Sequence, residues 1–360
     1  MPRTPVAAVP GPPTPTSIVP VKRTREDTGD GADDRQPTPK RSKPSPNSKG
    51  AKALDPEGDA VIVLDNHKTG FQEKYLVSSK ILSLASPVFT KMFSQKFSEG
   101  AKVRNGEVPS IDLEEDDAEM MGIILNILHY RLEDIPRDIE TLPLAILAML
   151  SDKYDCKRAL GGWIETWFTS QKFNACFSTG TPLGIGYALL AAYKFHCKLS
   201  FLSGLASRAS KCLPHNFYTQ CYKDGLTDLL PEDLEDALIV HIDEAMHRRF
   251  ATLHGVEEQL QEKSKGFQLS PPGAHLPSLR QDYRVAAYFP LLRKAGLYPH
   301  SEQVEGLSVD QVFRKIEGMA KDSGHRCQGG QKCPLKVALK KVLDEALVIR
   351  TVVDFKWTWK

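Results

Sequence analysis

The chain has 360 residues, long enough for two domains with residues left over. A hydrophobic fraction of 41% and a charged fraction of 26% suit a folded, water-soluble chain. The net charge of +2 gives no general argument for nucleic-acid binding, and no run of eighteen apolar residues offers a membrane span. The first residues lack the apolar stretch of a secretory signal, so secretion is not expected. The seven cysteines, Cys156, Cys176, Cys197, Cys212, Cys221, Cys327 and Cys333, are scattered and odd in number, which is no disulfide framework. Reduced thiols in an intracellular protein are the expectation.

Residues 1–57 differ in composition from the rest of the chain. Eleven of the 25 prolines fall in the first fifty residues, and the first aromatic is Phe71. With so little to bury, ordering cannot be offset, and a disordered basic tail is expected. It carries two basic clusters, Lys22-Arg23-Thr24-Arg25 and Lys40-Arg41-Ser42-Lys43, which together read as a nuclear-import signal. The competing reading is that such clusters merely keep a tail solvated. Nucleus and cytoplasm both remain open. Thr4, Thr14, Thr38 and Ser45 each precede proline, and phosphorylation there would reduce the positive charge.

From residue 58 the pattern becomes that of an α/β domain running to about 170. Residues 60–64 are β-branched or apolar and predict a strand, 66–70 a turn with Gly70 at the permissive position, and 71–77 a second strand. Ile81, Leu82, Leu84 and Ala85 then recur at helical spacing until Pro87 disfavours helix at Ser86. A second short helix buries Val88, Phe89, Met92 and Phe93. Residues 100–110 read as a loop and 108–113 as a short strand. Acids at 114–117 favour the start of a buried helix through Met120 and Leu128. Another helix is expected from Pro143 through Tyr154 and Cys156 to Leu160, broken by Gly161-Gly162, with a new helix from Trp163 to Phe168.

These residues resemble a BTB/POZ domain. The resemblance rests on Asp59-Ala60-Val61-Ile62-Val63-Leu64, on Val77-Ser78-Ser79-Lys80-Ile81-Leu82, on Ala85-Ser86-Pro87-Val88-Phe89-Thr90-Lys91-Met92-Phe93, and on Phe97-Ser98-Glu99. It extends to about Phe168. Ser78 stands where most relatives have histidine, as in the divergent members common in filamentous fungi. The resemblance implies an interaction protein that self-associates as a homodimer. The surface would lie around Ile81, Leu84, Phe89 and Met92, some of which must belong to the monomer core. In relatives that are substrate adaptors for cullin ubiquitin ligases, a hydrophobic–x–Glu motif contacts the cullin, and Phe97 and Glu99 match it. An apolar anchor beside a carboxylate suits such a contact. The competing reading is that Phe97 packs on its own core and Glu99 caps the loop.

Beyond it, residues 171–265 read as helices only, and by position and helicity they resemble a BACK-type extension. Apolar residues 183–195 open at Thr181-Pro182, 199–212 are amphipathic, and Pro231-Glu232-Asp233 starts a helix along Leu234, Leu238, Ile242, Ala245, Met246, Phe250 and Leu253. Residues 266–278 are a linker around Pro271-Pro272-Gly273. Residues 279–360 contain two further helices, 309–319 and 335–353, and end in an aromatic, basic stretch with Trp357 and Trp359.

Catalytic signatures are missing. There is no Gly-x-Ser-x-Gly elbow and no phosphate-binding loop, and Gly184-Ile185-Gly186 reads as a helix-entry loop. His241 and His247 fall on different helix faces. His325, Cys327 and Cys333 have loosely zinc-like spacing and would need a fourth ligand such as His300. No cofactor and no catalytic residue is assigned. Without a zinc-finger array or basic recognition helix, direct DNA reading is not expected. The reading is a non-catalytic interaction scaffold, with a cullin adaptor or a nuclear regulator of transcription as alternatives.

Overall fold

The computed structural model describes residues 50–214, 216–223, 225–226, 228–265, 277–298, 304, 306–321 and 333–348. The basic clusters at Lys22, Arg23, Arg25, Lys40, Arg41 and Lys43 lie outside these residues, as do the proline-directed sites, His300, His325, Cys327 and the C-terminal tryptophans.

A four-stranded mixed sheet is built from β1 (Lys52–Ala53), β2 (Ala60–Asn66), β3 (Phe71–Val77) and β4 (Ser110–Asp112), in the order β1-β3-β2-β4. β2 and β3 form an antiparallel hairpin, while β1 runs parallel to β3 and β4 parallel to β2. The hairpin turn is closed by Asn66, whose Oδ1 accepts from the amides of Lys68 (3.0 Å) and Thr69 (3.2 Å), with Gly70 left-handed at φ 72°. Ala60, Val61, Ile62, Val63 and Leu64 are all buried, as expected of a central strand covered on both faces.

The helical hairpin that follows consists of α1 (Ser79–Ala85) and α2 (Pro87–Met92). Asp59 sets its start, accepting from the Ser79 amide (2.6 Å) and the Ser79 hydroxyl (2.7 Å). Ser86 joins the two helices. Its amide closes α1 on the Leu82 carbonyl (3.0 Å), and its hydroxyl accepts from the Phe89 amide (3.1 Å) to cap α2. Its extended backbone (φ −143°, ψ 122°) is the conformation the following proline demands.

Residues 100–110 are not a loop throughout. A third short helix, α3 (Ser98–Arg104), occupies their first half. Gly100 makes it possible, because a Cβ there would lie 2.1 Å from the Ser94 carbonyl oxygen. Then come α4 (Ala118–Leu128), capped by Asp117 on the Met120 amide (2.9 Å), α5 (Thr141–Lys153) and α6 (Lys157–Thr169).

The break between α5 and α6 falls at Tyr154-Asp155, and the helix runs straight through Gly161-Gly162. Asp155 adopts φ 47°, its amide donates to Asp152 and that of Cys156 to Ser151, the bond pattern that ends a helix on a left-handed residue. Tyr130 (φ 59°) ends α4 in the same way. Non-glycine residues thus do what the glycine pair was expected to do.

The chain continues as α7 (Gln171–Thr179), α8 (Pro182–Lys194), α9 (Leu199–Cys212), α10 (Phe217–Lys223) and the 34-residue α11 (Glu232–Lys265). Gly184 and Gly186 lie within α8 rather than in an entry loop, and a Cβ on Gly186 would meet Leu226 Cδ2 at 2.4 Å. α12 (Pro277–Lys294) begins inside the stretch read as linker and was not expected. It is followed by α13 (Val309–Lys321) and α14 (Pro334–Val348).

α8 packs along α5, and their C-terminal ends meet. Asp152 is bonded by His196 Nε2 (3.0 Å) and Lys194 Nζ (3.2 Å), and Lys157 Nζ donates to the His196 carbonyl (2.7 Å). An aromatic cluster of Phe168 with Phe173, Phe195 and Phe201 fills the junction of α6 to α9. Further on, α11 packs against α12 and α14, with the buried Tyr288 hydroxyl donating to the Leu253 carbonyl (2.7 Å). Among the described residues no helix is long and apolar enough to cross a membrane.

A buried polar anchor holds the hairpin in place. The Ser86 hydroxyl donates to the Tyr154 carbonyl (2.5 Å), the Tyr154 ring stacks on Phe89 (4.8 Å between centroids), and the Tyr154 hydroxyl donates to Asp116 (2.5 Å). Lys153 Nζ completes the group, 2.8 Å from the other Asp116 oxygen. Burial, and then the bond to Asp116, keep the phenol protonated by raising its pKa. Tyr154→Phe removes one donor from a buried carboxylate and should cost about 1–3 kcal/mol. Its urea midpoint is expected below that of wild type, and an unchanged midpoint would show that the bond is not needed.

Candidate protein-interaction surface

The hairpin divides the four residues expected at its face between core and surface. Phe89 is fully buried and stacked on Tyr154, so it belongs to the core alone. Ile81 and Met92 are half-buried. Leu84 is 90% exposed at the end of α1, although it is as apolar as the residues that pack beneath it. Helical spacing alone could not separate these roles, because a seven-residue helix offers only two turns.

Phe97 and Glu99 sit at the start of α3. Phe97 is 49% exposed and Glu99 half-buried in the first helical turn, where a carboxylate is favoured by the amide dipoles. Phe97 therefore does not pack fully into its own core. Its carbonyl accepts from the Ala101 amide (3.1 Å), the first hydrogen bond of α3.

The start of α1 is held by a histidine that its sequence position did not point to. His129, at the end of α4, reaches back to the start of α1. Its Nε2 accepts from the Ser78 amide (3.1 Å), and its Nδ1 lies 2.9 Å from the Leu125 carbonyl, to which it donates. This pairing requires the neutral ring. The available signal was a lone histidine closing a strongly apolar helix.

Burial lowers the His129 pKa. The bond to Leu125 and the charge of Asp55 oppose that, and the charge of Arg131 adds to it. Between the folded value and the unfolded value of about 6.5, the unfolded chain binds more protons. Stability from this group is therefore fully present above about pH 6.5 and is lost as pH falls through that window.

Cys333, from the loosely zinc-like set, is buried just before α14. Among the described residues no group of three metal-ligating side chains comes together. No disulfide joins the described cysteines to one another, and burial raises the pKa of Cys156, Cys176, Cys197 and Cys212.

His129→Gln should flatten the fall in melting temperature between about pH 7 and pH 5, as expected when the titrating ring is removed. Parallel curves for variant and wild type would show that His129 does not carry the dependence.

No curated protein and no solved structure matches the chain. Residues 56–160 match the family model of the BTB/POZ domain. The matched span covers β2 to β4 and the helices from α1 into α6, ending within α6, which runs on to Thr169. With its small mixed sheet flanked by helices and its mostly helical continuation, this part of the chain is a BTB/POZ domain, a protein-interaction module.

Proposed function

We propose that the protein is a non-catalytic interaction scaffold that self-associates through the helical hairpin of its BTB/POZ domain. The observation that carries this reading is Leu84, 90% exposed on a hairpin whose other large apolar side chains are buried or half-buried. The half-buried Ile81, Ala85 and Val88 adjoin it on the same two helices, so a partner surface there would meet an apolar centre.

Leu84→Glu is therefore expected to lower the mass measured by light scattering at micromolar concentration, with the circular dichroism spectrum unchanged. Phe89→Ala should instead cost about 3–5 kcal/mol of stability, since it opens the core. A Leu84→Glu protein with wild-type mass would overturn the assignment of this face.

Phe97 supports a second reading, a substrate adaptor for a cullin ubiquitin ligase. An aromatic half in solvent beside a carboxylate at a helix start has the form of an anchor with a charged rim. Affinity purification of the tagged chain should then recover a cullin with wild type and lose it in the Phe97→Ala, Glu99→Ala double variant. Equal recovery of cullin by both proteins would rule the motif out.

A further inference from the structure

The BTB/POZ domain is electrically lopsided. Residues 56–160 hold 12 Lys and Arg against 18 Asp and Glu, a net charge of −6. Within them, residues 80–104 hold five cations, Lys80, Lys91, Lys96, Lys102 and Arg104, against the single acid Glu99, a net charge of +4. All five cations are exposed, and none makes an ion pair with another described residue. Three of them, Lys96, Lys102 and Arg104, lie within seven residues of the exposed Phe97 in sequence, on and just before α3.

The acidic complement lies in the same domain. Residues 110–119 hold six acids and no cation. The fold uses three of these. Asp116 anchors Tyr154 and Lys153, Asp117 caps α4, and Glu119 pairs with Lys68 at 2.7 Å. Asp112, Glu114 and Glu115 remain exposed on and just after β4, which is an edge strand, and they have no described ion-pair partner.

Within one chain the two sets form no ion pair among the described residues. Each displays at its surface the charge the other lacks, and like charges held together favour a partner of opposite sign. We infer that the exposed basic segment 96–104 docks on the acidic 112–115 turn of a second copy of this chain. This rests on the self-association reading and adds to it the surface that selects the partner.

The test is sedimentation velocity of the full chain at about 0.05 and about 0.5 M salt, a range over which surface charge becomes screened. Wild type is expected to associate more weakly at the higher salt. Lys96→Glu, Lys102→Glu, Arg104→Glu together should weaken association about tenfold or more, and so should Asp112→Lys, Glu114→Lys, Glu115→Lys together. Mixing the two reversed proteins should restore it. All six side chains are exposed, and circular dichroism checks the folding of each variant. Association that ignores both salt and charge reversal overturns the inference and leaves self-association standing. A wild-type chain that stays monomeric at both salt concentrations overturns both.

Discussion

Asp116 is a carboxylate with a side chain only 2% exposed, and the interaction domain is arranged around satisfying it. A buried charge must be paired and hydrogen-bonded, or the fold must neutralise it. Lys153 supplies the charge and Tyr154 the hydroxyl, so the end of α5 is held against the turn before α4. Tyr154 then passes the constraint on. Its carbonyl receives the Ser86 hydroxyl and its ring supports Phe89, which fixes both the joint of the α1–α2 hairpin and the core beneath it. Asp59 and His129 hold the other end of α1. Helix α1, pinned at both ends, holds Leu84 in solvent.

The same rigidity reaches into the helical region. Asp152, one residue before Lys153, bonds the end of α8 and the turn after it, and the aromatic cluster around Phe168 packs α6 to α9 together. The extension is therefore seated on the helix that anchors the hairpin. From α9 onward the packing passes to α11, which α12, α13 and α14 surround.

Much of this was legible in the residues. The strand pattern of 60–64, the Ser86-Pro87 joint and the acids before α4 each have one local physical meaning, and the elements formed there. Reading failed where helices end without glycine. Tyr130, Asp155 and His196 all take positive φ at helix ends, a role usually given to glycine, while Gly161-Gly162 stays helical. Tertiary bonds override local preference at two of these positions, because His196 bonds Asp152 and Tyr154 bonds Asp116 next to Asp155. The candidate surface was legible only as a set. Which of Ile81, Leu84, Phe89 and Met92 face outward depends on where Tyr154 lies, about seventy residues away in sequence, and no spacing rule reports that. The charge pattern of residues 80–119, by contrast, was in plain view.

Hydrogen–deuterium exchange of the full chain, compared between dilute and concentrated protein, tests the central claim most directly. The account predicts that amides of α1 to α3 become more protected as concentration rises, while α11 to α14 do not change. If protection in 79–104 is the same at both concentrations, this face does not carry the association.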